Sequence, residues 1–326
     1  MHAKYLRSRR AKRLFDDLDE LYFQFASQLP SPLDALAQLN STYEGDNEQK
    51  PFESLRGLNP VLVGTPWLFW ETFEGLSDKT FLLIAEAGTY YVLASVVMDH
   101  ILDGQAKPIE AMGLFHQALY ERGIAKYRQA FSTSSSFWDH FERLAIDHLA
   151  GLSEEYVLQS HPQRIDREAL IKMAHGKVSP IVTTIVGLAE TLDKTAVIVP
   201  IEASLKHIAV ASQLLDDIGD WKHDLQVGHM TYYLSCLTPN AAGLLTERSS
   251  LDEHQRKIDA EWLDVEQMGE VIEGLNRSLE AVRDVDCPAW IDYVNGYKTL
   301  ANEHMTGFVA RHIMRILQQL DINPND

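Results

Sequence analysis

A chain of 326 residues, 45% of them hydrophobic, is long enough for one large domain or two ordinary ones and can supply a sizeable core. Its formal charge of −18 excludes sequence-independent nucleic-acid binding, because phosphate backbones demand a basic surface. The two cysteines, Cys236 and Cys287, are too few for a disulfide scaffold and wrongly spaced for a zinc site, so a reducing cytoplasm is the expected location.

From the N-terminus, MHAKYLRSRRAKRLFDDLDELYF is basic and then amphipathic, with no apolar stretch ahead of a small-residue cleavage site. It reads as a solvated first helix near 10–29. Residues 40–66 form the longest expected irregular connection. Phe81 to Met98, FLLIAEAGTYYVLASVVM, approaches the length of a membrane span but contains Glu86, Gly88, Thr89 and paired tyrosines. Together with the polar MDHILDGQ at its end, this favours a buried helix of a bundle over a transmembrane segment.

Apolar spacings of three and four predict further helices near 79–103, 109–130, 137–159, 167–192, 200–224, 264–284 and 290–320. Ser153-Glu154-Glu155 and Asp166 with Glu168 read as helix starts. Ser132 to Ser136 reads as a loop, and 238–262 as a polar, acidic one. There is no internal repeat, no dinucleotide or P-loop glycine motif and no clear domain boundary. The expectation is one all-α domain over 1–326, a single-domain bundle of antiparallel helices around a central apolar cavity.

Two acidic groups carry the chemistry. Asp99 and Asp103, in DHILD, are four apart and so share a helix face at the end of the apolar segment. Like charges at that spacing repel, and carboxylates so placed need a solvated cavity or a cation. The plainer reading is a solvated helix terminus. Asp216-Asp217-Ile-Gly-Asp220-Trp-Lys-His-Asp224 is more informative, since Asp216, Asp220 and Asp224 stack along one stripe that continues an apolar helix. An exposed acidic face would interleave Lys or Arg at i+4, and Lys222 does not share the stripe. Oxygen-only ligands suit Mg²⁺, or Mn²⁺, and Mg²⁺ shares its shell with substrate phosphates. Facing one another across a bundle, the two groups could hold metals around a diphosphate, drawing charge from the leaving group above an apolar pocket.

The sequence resembles the class I isoprenoid synthase superfamily of trans-prenyltransferases, terpene synthases and squalene/phytoene synthase-like enzymes. Asp99-His-Ile-Leu-Asp103 resembles the first aspartate-rich motif, with His100 in place of the usual second Asp. Asp216-Asp217-Ile-Gly-Asp220 resembles an intact second DDxxD preceded by Gln213, and Asp216/Asp220/Asp224 also fit the spacing of the terpene-synthase NSE triad. Lys177 resembles the diphosphate-binding lysine, and Asp224 to Tyr232 the DLxxGKxT segment, with His229 for its lysine. The likeness spans roughly residues 80–235.

Nothing matches the GGKRxRP motif of chain-elongating enzymes, and GQAKPIEAM stands where they place an arginine pair. The resemblance therefore implies an Mg²⁺-dependent class I terpene synthase that ionises and cyclises a prenyl diphosphate. The alternative is a prenyltransferase, chain-elongating or head-to-head, using the same aspartates. It implies metal ligands Asp99, Asp103, Asp216, Asp217, Asp220 and Asp224, and substrate contacts from Lys177, Gln213, Lys222 and Tyr91. A degenerate isoprenoid-binding subunit is the non-enzymatic reading. Family members often dimerise, which leaves a homodimer open. Trp67, Phe69, Trp70, Phe73, Tyr90, Tyr91 and Trp221 are candidate cavity aromatics, although aromatics at helical spacing are more often core. Lys298 reads as a surface residue, and His100 and His207 as ordinary helix residues.

Overall fold

A computed structural model describes residues 3–38, 54–102, 104, 109–160, 163–237 and 251–319. Among these residues every regular element is helical. The chain runs through α1 (Arg9–Gln28), α2 (Leu33–Ala37), α3 (Pro60–Val63), α4 (Thr65–Leu68), α5 (Trp70–Phe73), α6 (Asp78–Leu102), α7 (Ile109–Ala130) and α8 (Phe137–Ser160). It continues as α9 (Arg167–Thr191), α10 (Ile198–Val227), α11 (Tyr232–Leu237), α12 (Leu251–Glu261), α13 (Leu263–Ala281) and α14 (Pro288–Gln319).

Local chemistry sets several helix starts. The Ser8 hydroxyl accepts from Ala11 N–H at 3.0 Å, Ser77 from Thr80 N–H at 3.2 Å and the Asp166 carboxylate from Ala169 N–H at 2.9 Å, each satisfying a donor of the first turn. Ser153-Glu154-Glu155 lies inside α8 and starts nothing, because Leu149, Leu152, Val157 and Leu158 carry the helical period through it. Short helices occupy 60–63, 65–68 and 70–73, where residues up to 66 read as irregular, and α12 occupies most of the described end of the expected 238–262 loop. Proline at the first or second position favours α3 and α4, each only four residues long. Residues 238–250 of the loop and 40–53 of the irregular connection lie outside the described residues.

The described residues divide into two compact units. The first comprises Met1–His148, Lys177–Glu202 and Asp284–Tyr293. Its interior is largely aromatic. Trp67 packs edge-on against Phe15 and Phe81 with ring centroids 4.8 and 5.2 Å away, and its indole N–H donates to the Ala11 carbonyl at 2.9 Å. Phe69 stacks on Trp290 at 5.0 Å. Trp67, Phe69, Trp70, Phe73 and Tyr90, all candidate cavity aromatics, are thus buried core side chains. α6 is apolar nearly all round and long enough to cross a membrane, yet most of it is buried in this unit. Its tight neighbours are α7, whose Gly123 lies against the Ala87–Tyr91 backbone, and α9, whose Thr184 occupies the space a side chain on Gly88 would need.

The second unit comprises Leu149–Gly176, Ala203–Arg283 and Val294–Asp326. Gly151 of α8 meets the Gly176 backbone of α9, and Gly274 of α13 lies against Ala211 and the His207 carbonyl of α10. One turn further along the same α10–α13 seam, the buried Ser204 and Ser278 hydroxyls are 2.8 Å apart. The Thr195–Val227 stretch is likewise long and apolar, although its C-terminal end carries the acidic stripe.

Candidate functional site

Asp99 stands in the last turn of α6, where unsatisfied carbonyls already favour a cation. Gly104, at φ 70°, donates its N–H to the Ile101 carbonyl at 3.2 Å and helps close the helix. Asp99 is 28% exposed, but its Oδ1 atom is shut off from solvent. The Lys177 ammonium, reaching across from α9, lies 3.1 Å from that oxygen without an aligned hydrogen bond. The reach depends on the close α6–α9 contact at Gly88 and Thr184. Asp103, the partner of Asp99 in the sequence motif, lies outside the described residues.

The second acidic group lies on α10. Asp216 and Asp220 are exposed, Asp224 is half-buried, and the spacing of four sets the three on one face. Asp217 points elsewhere. It is 3% exposed, and Gln213, one turn earlier, donates its amide to Oδ1 at 2.9 Å. Gln213 therefore positions a carboxylate in this structure.

These residues suit a divalent cation on two counts. The donors are all carboxylate oxygens, the preference of hard cations. On α6, Asp99 Oδ1 is dehydrated and lies beside an ammonium off its hydrogen-bonding direction; on α10, taken by itself, the Asp216 and Asp220 side chains are exposed one turn apart.

The fold can be placed among known structures. A polyprenyl synthase from Caulobacter crescentus CB15, solved with calcium and isoprenyl diphosphate, superposes with a TM-score of 0.67 at 14% identity, over 93% of this chain and 97% of that one. A geranylgeranyl pyrophosphate synthase from Corynebacterium glutamicum ATCC 13032 gives 0.65 at 15% identity, over 92% and 93%. A polyprenyl synthetase from Streptomyces coelicolor A3(2) gives 0.58 at 15% identity, over 90% and 99%. No family sequence model matches the chain, and no curated protein matches it in sequence. The fold is that of the class I isoprenoid synthases.

Within this isoprenoid synthase fold, the other expected contacts take distinct places. Tyr91 is 5% exposed and belongs to an aromatic cluster, its ring 5.3 Å from Phe141, 5.8 Å from Tyr120 and 6.3 Å from Tyr127. Burial raises the pKa of its hydroxyl above the usual tyrosine range. Lys222 is exposed, with its ammonium 5.4 Å from the ring centre of the buried Trp221. The DLxxGKxT-like segment has structural duties. Gly228, at φ 78°, follows the last residue of α10, and His229 N–H bonds back to the Asp224 carbonyl at 2.8 Å, a glycine-terminated helix end. Thr231 Oγ1 accepts from Leu234 N–H at 3.2 Å and caps α11, while the His229 Nε2 lies 2.6 Å from the Gln159 amide.

One cluster went unnoticed in the sequence. Asp259 of α12, Asp264 of α13 and His312 of α14 are buried, with ligand-type atoms within 4.8 Å of one another. His312 Nε2 is 2.8 Å from Asp264 Oδ1, and Trp262, at φ 55°, stacks on the His312 ring at 4.5 Å. Arg311 pairs with Asp264, and Arg315 with Asp259. The two carboxylates are thus already matched by two guanidinium groups and an imidazole, which makes the cluster an ionic brace between α12, α13 and α14. Only the arginine-flanked ARHIMR segment hinted at it, since the partners lie some fifty residues apart.

Proposed function

We propose that the chain is a divalent-cation-dependent prenyltransferase, acting through 1–326 as one catalytic domain, that ionises an allylic prenyl diphosphate and joins the allylic carbon to a second isoprenoid. The observation that carries this reading is a coincidence of fold and residues. Likeness over nine-tenths of the chain to polyprenyl and geranylgeranyl diphosphate synthases comes with carboxylates on α6 and α10 and a lysine beside Asp99. The relative solved with calcium and isoprenyl diphosphate supplies the ligand chemistry.

In this reading Asp99, Asp103, Asp216, Asp220 and Asp224 hold Mg²⁺ or Mn²⁺, and Asp217 with Gln213 braces the α10 group. Bound divalent cations withdraw charge from the departing diphosphate. Lys177 meets the diphosphate, with Lys222 a further candidate, and Tyr91 walls the apolar side. The resemblance also supports a homodimer, and α8 exposes Ile146, Leu149 and Tyr156 along its length.

A second reading is a one-substrate terpene cyclase. It is favoured by His229, which stands in place of the segment's lysine and is engaged with Gln159, and by the missing arginine pair. Incubation with geranyl, farnesyl, geranylgeranyl and farnesylgeranyl diphosphates plus Mg²⁺, with and without isopentenyl diphosphate, separates the two. Longer prenyl diphosphates formed only with isopentenyl diphosphate support transfer. A hydrocarbon or alcohol from one allylic substrate alone rejects it for cyclisation.

A further inference from the structure

We propose that the start of α1 is an electrostatic docking face for an anionic lipid bilayer, carried by Arg9, Lys12 and Arg13 with Lys79 beside them at the start of α6. Six of the 29 basic residues and none of the 47 acidic ones fall in positions 1–13, in a chain whose formal charge is −18. Arg9, Lys12 and Arg13 are exposed and, at spacings of three and four, share one helix face. Arg10 and Arg13 both pair with Asp78, which brings Lys79, also exposed, next to that face. One carboxylate thus answers two guanidinium groups, while Arg9, Lys12 and Lys79 have no ion-pair partner among the described residues. Further along α1, Asp16 is taken by Arg56, and Asp19 accepts from the Ser54 hydroxyl and Leu55 N–H.

Helix stability does not account for these charges. The first turn of α1 holds no acidic residue, and its cations oppose the positive end of the helix dipole, as Lys79 does at the second position of α6. A protein partner is the poorer fit, because interfaces between proteins have an apolar centre and are depleted in lysine. Tyr5 and Leu6, the large apolar residues beside the strip, are buried. A headgroup layer takes basic side chains without an apolar anchor. About 20 residues of α6 separate Lys79 from Asp99, roughly 30 Å along the helix, so a bilayer at this face leaves Asp99 uncovered. Docking does not depend on the catalytic step. Under the proposed function it sets the protein beside an apolar phase that suits a lengthening prenyl chain.

The test is co-sedimentation of the full chain with vesicles of phosphatidylcholine alone or mixed equally with phosphatidylserine. Binding is expected to the mixed vesicles only, in low salt, and should be reversed by raising it. A strip variant, Arg9→Gln/Lys12→Gln/Lys79→Gln, is expected to bind on the order of a hundredfold more weakly, from about fivefold per charge near the surface. A control, Arg128→Gln/Arg256→Gln/Arg277→Gln, removes as much charge from exposed positions elsewhere and should bind as the unsubstituted protein does. Thermal melts of the strip variant should show no loss of stability, since it removes cations from helix starts. Equal binding by the strip variant and the control overturns the assignment, as does a lack of binding to the mixed vesicles. A low-salt dimer that the strip variant loses, without vesicle binding, would make the strip a contact between copies instead. Mg²⁺-dependent diphosphate release in vesicle-free solution should be the same for the strip variant and the unsubstituted protein, so a failure of docking leaves the proposed function standing.

Discussion

Single side chains in this protein do unlike work with the same chemistry. Asp99 stands beside an ammonium, Asp216 and Asp220 are exposed on α10, Asp217 is held by an amide, and Asp264 is locked between Arg311 and His312. Sequence spacing set Asp216, Asp220 and Asp224 on one stripe, because period 3.6 decides which residues share a face, while the resemblance counted Asp217 among the metal ligands as well. It could not find Asp264, whose partners come from a helix far along the chain. Replacing Asp264 with Ala should leave the buried His312 without its acceptor and lower stability by about 1–3 kcal/mol in urea denaturation. EDTA should leave the unsubstituted protein's midpoint unmoved, because arginines balance these carboxylates. A midpoint that falls with EDTA in step with Asp264→Ala would instead make the cluster a metal site.

Two histidines give the residue scale a pH signature. Burial holds His207 and His116 below the ordinary 6.5, with Arg277 adding to the effect at His207 and His148 at His116. The unfolded chain then takes up protons that the folded one resists. Stability is therefore full above about 6.5 and falls as pH drops below that value, until the native groups themselves titrate. The urea midpoint should decline between pH 7 and 5.5, and His207→Gln should shallow that decline. An identical pH profile for the variant would contradict the assignment.

At the scale of elements, the long helices were legible because each carries an uninterrupted apolar period. The predicted 109–130 is α7 to the residue, and 79–103 and 167–192 miss α6 and α9 by one residue at each end or less. The short helices before α6 were not legible, since four residues hold barely one period and their order comes from aromatic packing. α12 was read as loop because its polar exterior outweighs an apolar face of few residues, with Ile258 buried. Composition also hid the reason for Gly88. On sequence it only marks α6 as poor for a membrane span, whereas in the structure an added Cβ would lie 2.8 Å from Thr184 Cβ. Gly88→Ala should force α6 and α9 apart and cost about 1–3 kcal/mol, read as a lower urea midpoint. An unchanged midpoint would mean that the two helices do not pack as closely as described.

For the whole molecule, the all-α fold follows from helical periodicity everywhere and from the lack of alternating runs, and the neighbouring structures agree with it. The balance between cyclase and transferase did not follow. It rests on which second substrate, if any, the chain accepts, and motif losses such as His229 bear on that only indirectly. What both readings share is ionisation of a prenyl diphosphate by carboxylate-held metal, so that step is the central claim. Asp220 offers a clean probe of it, being exposed on α10 and so dispensable for packing. The decisive measurement is Mg²⁺-dependent diphosphate release from farnesyl and geranylgeranyl diphosphates, with isopentenyl diphosphate present, comparing the unsubstituted protein with Asp220→Ala of equal melting temperature. The account predicts release that EDTA abolishes and that Asp220→Ala slows by about 100-fold or more, the scale of losing one transition-state charge stabiliser. Release that persists unchanged in EDTA or in Asp220→Ala would contradict it.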